Sequence, residues 1–136
     1  MSENYKSIIS DKKVEAEKLM TSEQFTACDA AIHTVSVAAG AIGTIPTPVT
    51  DSISDEQIKM AIALGKIFDQ KLSETAAKAL ISSVESTFVG KTGIKPILIA
   101  GWMASVAVAV GRTEAIGWSL AVDFAKKQQQ LNTSHL

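Results

Sequence analysis

Thr21-Ser22-Glu23-Gln24-Phe25-Thr26-Ala27-Cys28-Asp29-Ala30-Ala31-Ile32-His33-Thr34-Val35-Ser36-Val37-Ala38-Ala39-Gly40 is the stretch on which the fold turns. Thr21 and Gln24 stand three apart, the spacing of a capping box in which each side chain satisfies a free amide at a helix start. Behind them Phe25, Cys28, Ile32, Val35 and Ala39 recur at the three- and four-residue steps of one helix face. The pattern predicts a helix from Thr21 to about Gly40.

Downstream the same signals repeat. Ile45-Pro46-Thr47-Pro48 cannot continue a helix, because proline lacks the amide donor and restricts the residue before it. A loop is expected to Ile53. Ser54-Asp55-Glu56-Gln57 is a second capping box, with its acids well placed for the positive end of a helix dipole. Ile58, Ile62, Gly65 and Phe68 line one side of the helix that follows, widened by Met60, Leu64 and Ile67. Ser73 is the expected cap of a third helix with Ala77, Leu80, Val84 and Phe88 as its core face, stopped by Gly90 and Gly93. Pro96 suits the first turn of a fourth. The last is expected from about Thr113 to Gln130 on Ile116, Leu120 and Phe124, with Lys126 and Lys127 complementing its C-terminal end.

Upstream, residues 1–20 mix charges with Ile8, Ile9, Val14, Leu19 and Met20, the pattern of a short amphipathic helix or of a frayed arm. Residues 131–136 read as a polar, flexible tail. No stretch alternates as a strand would. The expectation is therefore an all-α chain, a compact bundle of about five helices over 21–130 around a central, Ala/Gly-rich apolar helix.

That apolar helix is the run from Pro96 to Gly111, which carries no charge between Lys95 and Arg112. Its 16 residues would span about 24 Å, short of a hydrocarbon core of about 30 Å. Burial against protein is the reading favoured over a membrane span. The same holds for the uncharged stretch from Ala30 to Thr50, which two prolines interrupt. Gly101, Ser105 and Ala109 recur every four residues and form a stripe that lets another helix approach closely. A helix apolar all round must be covered all round. Either this one is central in a monomer, or the protein self-associates through it.

Composition excludes several functions. With 13 basic and 14 acidic residues the chain has a formal net charge of -1 and no basic stripe, so nucleic acid has no electrostatic footprint to follow. Cys28 is the single cysteine, which rules out an internal disulfide or a cysteine-based zinc cluster. The charged first thirty residues lack the apolar core of an export signal, and a cytoplasmic location, if anything peripheral to a membrane, is expected. Gly90-Lys91-Thr92 matches the end of a phosphate-binding loop. Glu85 stands where the first glycine of that motif belongs, and a helix stop is the better reading.

No catalytic, metal or cofactor constellation emerges. Cys28 has no nearby cation to activate it. Asp51, Asp55 and Glu56 are explained first by capping and dipole complementarity. The polar feature singled out is His33, expected to be buried and paired either with Asp29 four residues before it or with Glu114 across the core.

Ala31-Ile32-His33-Thr34-Val35-Ser36-Val37-Ala38-Ala39-Gly40, Ile45-Pro46, Ala63-Leu64-Gly65-Lys66-Ile67-Phe68, Leu72, Ala77-Lys78-Ala79-Leu80, Thr113-Glu114-Ala115-Ile116-Gly117-Trp118 and Asp123-Phe124-Ala125-Lys126 together resemble the YcjF-like domain of unknown function 697. The likeness covers about residues 27–127. It implies a helical module, GTPase-associated or membrane-peripheral, without established catalytic residues, in which His33, Thr34 and Glu114 are the family-like polar positions. Members have a proline- and glycine-rich turn after the Gly-Trp that aligns with Gly101-Trp102, whereas here Met103-Ala104-Ser105 continues a helical pattern. Any GTPase activity would belong to a partner. The expected function is a non-catalytic interaction or scaffold module that binds a protein partner or itself, with no enzyme activity and no cofactor. The alternative is a membrane-peripheral or membrane-inserting helical protein, motivated by the uncharged runs and a mean hydropathy of +0.19.

Overall fold

A computed structural model of the chain describes residues 2–43, 55–92 and 106–134. They form five helices and, among the described residues, no strand: α1 (Ser2–Leu19), α2 (Ser22–Gly43), α3 (Asp55–Ile67), α4 (Glu74–Thr92) and α5 (Val106–Ser134).

The local signals act as expected at two helix starts. The Thr21 amide donates to Gln24 Oε1 at 3.0 Å and the Gln24 amide to Thr21 Oγ1 at 3.1 Å, so the capping box forms. Ser73 Oγ accepts the Ala76 amide at 3.1 Å and caps α4. Between α3 and α4 the chain turns in a Schellman motif. The Gln70 amide donates to Gly65 O at 2.8 Å and the Asp69 amide to Lys66 O at 3.1 Å, with Asp69 in the left-handed region at φ 59°. Gly65 is required there, since a Cβ would lie 2.7 Å from the Gln70 carbonyl.

α5 is the axis of the bundle. Every residue from Ala115 to Val122 is buried, which covers all sides of a helix, and the other four helices pack on it. α2 runs antiparallel to it: Ile32 meets Gly117, while Gln24 Nε2 donates to Gln128 Oε1 at 3.2 Å. α1 runs parallel to it, with Tyr5 beside Gly111, Lys13 over the Trp118 ring at 5.4 Å, and Gln129 Nε2 donating to Leu19 O at 3.1 Å. The turn after α3 sits on the far end of α5, where Gln70 Nε2 donates to Phe124 O at 3.0 Å and Gln128 Nε2 to Phe68 O.

The bundle with a central apolar helix is thus present, and of the two readings left open for residues 1–20 the helix holds, because Tyr5, Ile8 and Ala16 share one buried face against α5. Three boundaries differ from expectation. No break separates residues 106–111 from 113–130. Helix continues through Gly111, and the enclosed part of α5 runs from Ala115 to Val122, while residues 96–105 of the expected apolar helix lie outside the described residues. It also runs on to Ser134, into the expected tail. Gly90 does not stop α4, which reaches Thr92.

Candidate functional site

The most unusual chemistry in the described residues is a buried ion pair where α4, α5 and α1 meet. Ile81, Val84, Glu85 and Phe88 fall on the inward face of α4, which carries the Glu85 carboxylate into the core. Arg112 reaches it from α5: Nη2 donates to Oε2 at 2.7 Å, with the two side chains only 17% and 10% exposed. Glu85 Oε1 and Arg112 Nε are buried and make no hydrogen bond, so the pair engages through one arm of a fork that has two. Tyr5 closes the corner, its ring edge-on to Phe88 at 6.1 Å and 75°. Burial pushes the Tyr5 phenol up, while the Arg112 charge pulls it down and Glu85 pushes it further up. A permanent guanidinium and a carboxylate thus tie α5 to α4 beneath the Tyr5 ring of α1.

A second polar seam runs outside α1 and α5. Lys126 Nζ meets Glu15 Oε2 at 3.2 Å, and Lys12 meets the other oxygen of the same carboxylate at 3.8 Å. Partial burial pushes the Asp123 carboxyl up, with Lys12 and Lys126 pulling it down and Glu15 raising it. Its outer edge stays exposed, so this seam is a solvated one.

The third feature is a bare helix face. Thr26, Ala27, Ala30, His33, Thr34 and Val37 all look outward from α2, with the exposed acids Glu23 and Asp29 beside them. Val37 is 58% exposed, the most of any large apolar side chain among the described residues. Thr34 turns its hydroxyl back onto Ala30 O at 2.9 Å, which further lowers the polarity of the face.

The expected buried pair is not formed. α2 turns Cys28, Ile32 and Ser36 inward, and the roughly 100° step per residue then puts Asp29 and His33 on the solvent side. Both are exposed, Glu114 is half-buried, and no hydrogen bond or ion pair joins them among the described residues. Of the predicted packing stripe, Gly101 and Ser105 lie outside the described residues, and Ala109 falls in the first turn of α5. Residues 90–92 continue α4 as helix rather than forming a phosphate-binding loop, and Glu85 is the acid paired with Arg112. Cys28 is fully buried with its thiol pushed up to about 12, which makes it a poor nucleophile. Among the described residues no three His, Cys, Asp or Glu side chains gather as a metal site would need, and no helix is long and apolar enough to cross a membrane.

The buried ion pair was open to sequence reasoning in one respect: Glu85 stands four residues after Ile81 and three before Phe88, on the core stripe of its own helix. Nothing in the sequence pointed to Arg112 as its partner. No family model, no curated protein and no solved structure matches the chain.

Proposed function

We propose that this chain is a non-catalytic helical interaction module that grips a protein partner with the outward face of α2. The observation that carries the reading is the face itself. Ala30, Thr34 and Val37, with His33 among them and Asp29 at the edge, present a small-residue surface on a helix whose opposite side is anchored to α5 through Ile32 and Gly117. Small residues admit close approach of a second helix, and an apolar residue such as Val37 gains from being covered. The resemblance to the YcjF-like domain supports the same reading and gives the partner a class, a GTPase-bearing chain.

The test replaces Ala30 and Val37 by glutamate, which leaves the buried side of α2 untouched. Circular dichroism and thermal melting should match the wild type. Affinity capture from the native host should lose a protein that the wild type retains, and that protein should hydrolyse GTP. Capture of the same proteins by both chains sinks the reading. A membrane-peripheral role rests on the charge-free run over 96–111, and co-sedimentation with anionic and neutral vesicles decides it.

A further inference from the structure

We propose that α1 is an exchangeable strap, and that two copies of this chain form a two-fold dimer in which each α1 lies on the other copy's α5. α1 places nearly all of its contacts on α5, with Tyr5 also touching Phe88 of α4, and hardly meets α2, its neighbour in sequence. Its buried side chains, Tyr5, Ile8 and Ala16, and its seam partners, Trp118 and Lys126, exist in the same arrangement on any second copy. Exchange therefore keeps every one of these contacts except those of the connection itself, and that symmetry is what makes swapping a low-cost route to a dimer.

The connection is short and poorly defended. Met20 and Thr21 alone separate the two helices, and the sequence from Lys18 to Gln24 contains neither glycine nor proline. Helical bonding persists to Met20, whose amide donates to Ala16 O at 3.1 Å, and resumes at Thr21, whose carbonyl accepts from the Phe25 amide at 2.9 Å. The break is held by the two exposed capping bonds between Thr21 and Gln24 and by Gln129 on the Leu19 carbonyl. Straightening it joins α1 and α2 into one helix and carries α1 away from its own α5, the hinge behaviour that short connections invite. In the exchanged dimer each buried Glu85–Arg112 pair is closed by Tyr5 of the other copy, so the two cores complete one another.

Glu15 and Lys126 report the exchange, since both are exposed and they meet at 3.2 Å. Chains carrying only Glu15→Cys and chains carrying only Lys126→Cys are mixed, refolded together at high concentration, diluted and treated with a short bismaleimide. Exchange yields a covalent dimer in the mixture and none in either variant alone; the wild type controls for Cys28. Light scattering on the wild type should show mass rising toward twice the 14.4 kDa of one chain with concentration. Thr21→Ala/Gln24→Ala should raise the dimer share several-fold, and a four-residue Gly/Ser insertion after Met20 should abolish it. A dimer that gives no covalent product between the two cysteine variants overturns the exchange while leaving self-association standing. A monomer at every concentration, for wild type and capless variant alike, overturns it as well, and leaves partner binding through α2 to its own capture test.

Discussion

Glu85 shows how one side chain holds a corner of this bundle and what its loss would do. Removing a single member of a buried ion pair strands the other charge, which costs about 3–5 kcal/mol, whereas replacing both by apolar groups is often neutral or better. Glu85→Leu should accordingly lower the free energy of urea unfolding by about 3 kcal/mol or more, and Glu85→Leu/Arg112→Met should recover most of it. A double variant as unstable as the single one would mean that the pair is not what fastens α4 to α5. Cys28 gives a prediction of opposite kind. Its thiol ionises at an ordinary value of 9.0 when exposed and at about 12 in the fold. Above pH 9 the unfolded chain sheds a proton that the folded chain keeps, so stability falls as pH rises from about 9 toward 12 and is indifferent to this group below. Iodoacetamide should react with the native protein only as fast as it opens; rapid native labelling would contradict the burial. The inward place of Cys28 was legible in the stripe Phe25, Cys28, Ile32. His33 misled because a lone imidazole on an alanine-rich helix looks like a core residue, and only the angular step from Ile32 shows that it faces water.

Helices here are set by close approach as much as by propensity, and two glycines of α5 separate the effects. A Cβ at Gly117 would lie 2.7 Å from Ile32 Cγ1 and 3.0 Å from Cγ2, both fixed to a side chain only 1% exposed. Overpacking of that kind costs about 1–3 kcal/mol, more than the roughly 1 kcal/mol that alanine gains over glycine in a helix. At Gly111 the nearest atom is Tyr5 Cβ at 3.4 Å, an ordinary contact. Gly117→Ala should therefore destabilise by about 1 kcal/mol or more, and Gly111→Ala should stabilise by up to about 1 kcal/mol, both read by urea titration. Equal effects at the two sites would show that Ile32 does not set the spacing of α2 and α5. The same glycines explain which boundaries could be read. Side chains write the helix starts at Thr21 and Ser73 into the sequence, since the capping atoms are local. The expected break between Gly111 and Thr113 is absent because a glycine penalty of about 1 kcal/mol is small beside the burial of Ile116, Trp118 and Leu120 just beyond it. α1 could not be decided in advance, because what holds so charged a helix is α5, more than a hundred residues away in sequence.

At the scale of the whole molecule, burial is shared unequally, and unequal burial implies unequal opening. α5 is enclosed from Ala115 to Val122, so its amides become free only when the bundle comes apart. α1 is tied down by Tyr5, Ile8 and Ala16 and by a solvated seam of charges, a modest hold against the entropy of ordering 18 residues at about 1–2 kcal/mol each. Native-state hydrogen exchange followed by mass spectrometry should accordingly find peptides of α1 exchanging at least about tenfold faster than those covering 115–125, a gap of about 1.4 kcal/mol or more in opening free energy. Tyr5→Ala should widen the gap by speeding α1 most, because Tyr5 packs on Gly111 at the start of α5 and on Phe88 of α4, before the enclosed stretch begins. Glu85→Leu should instead speed exchange throughout, since it loosens the joint between α4 and the axis. Uniform protection of α1 and α5, with Tyr5→Ala accelerating both together, would make the bundle one cooperative unit. α1 would then have no independent opening through which to leave its own α5 for another.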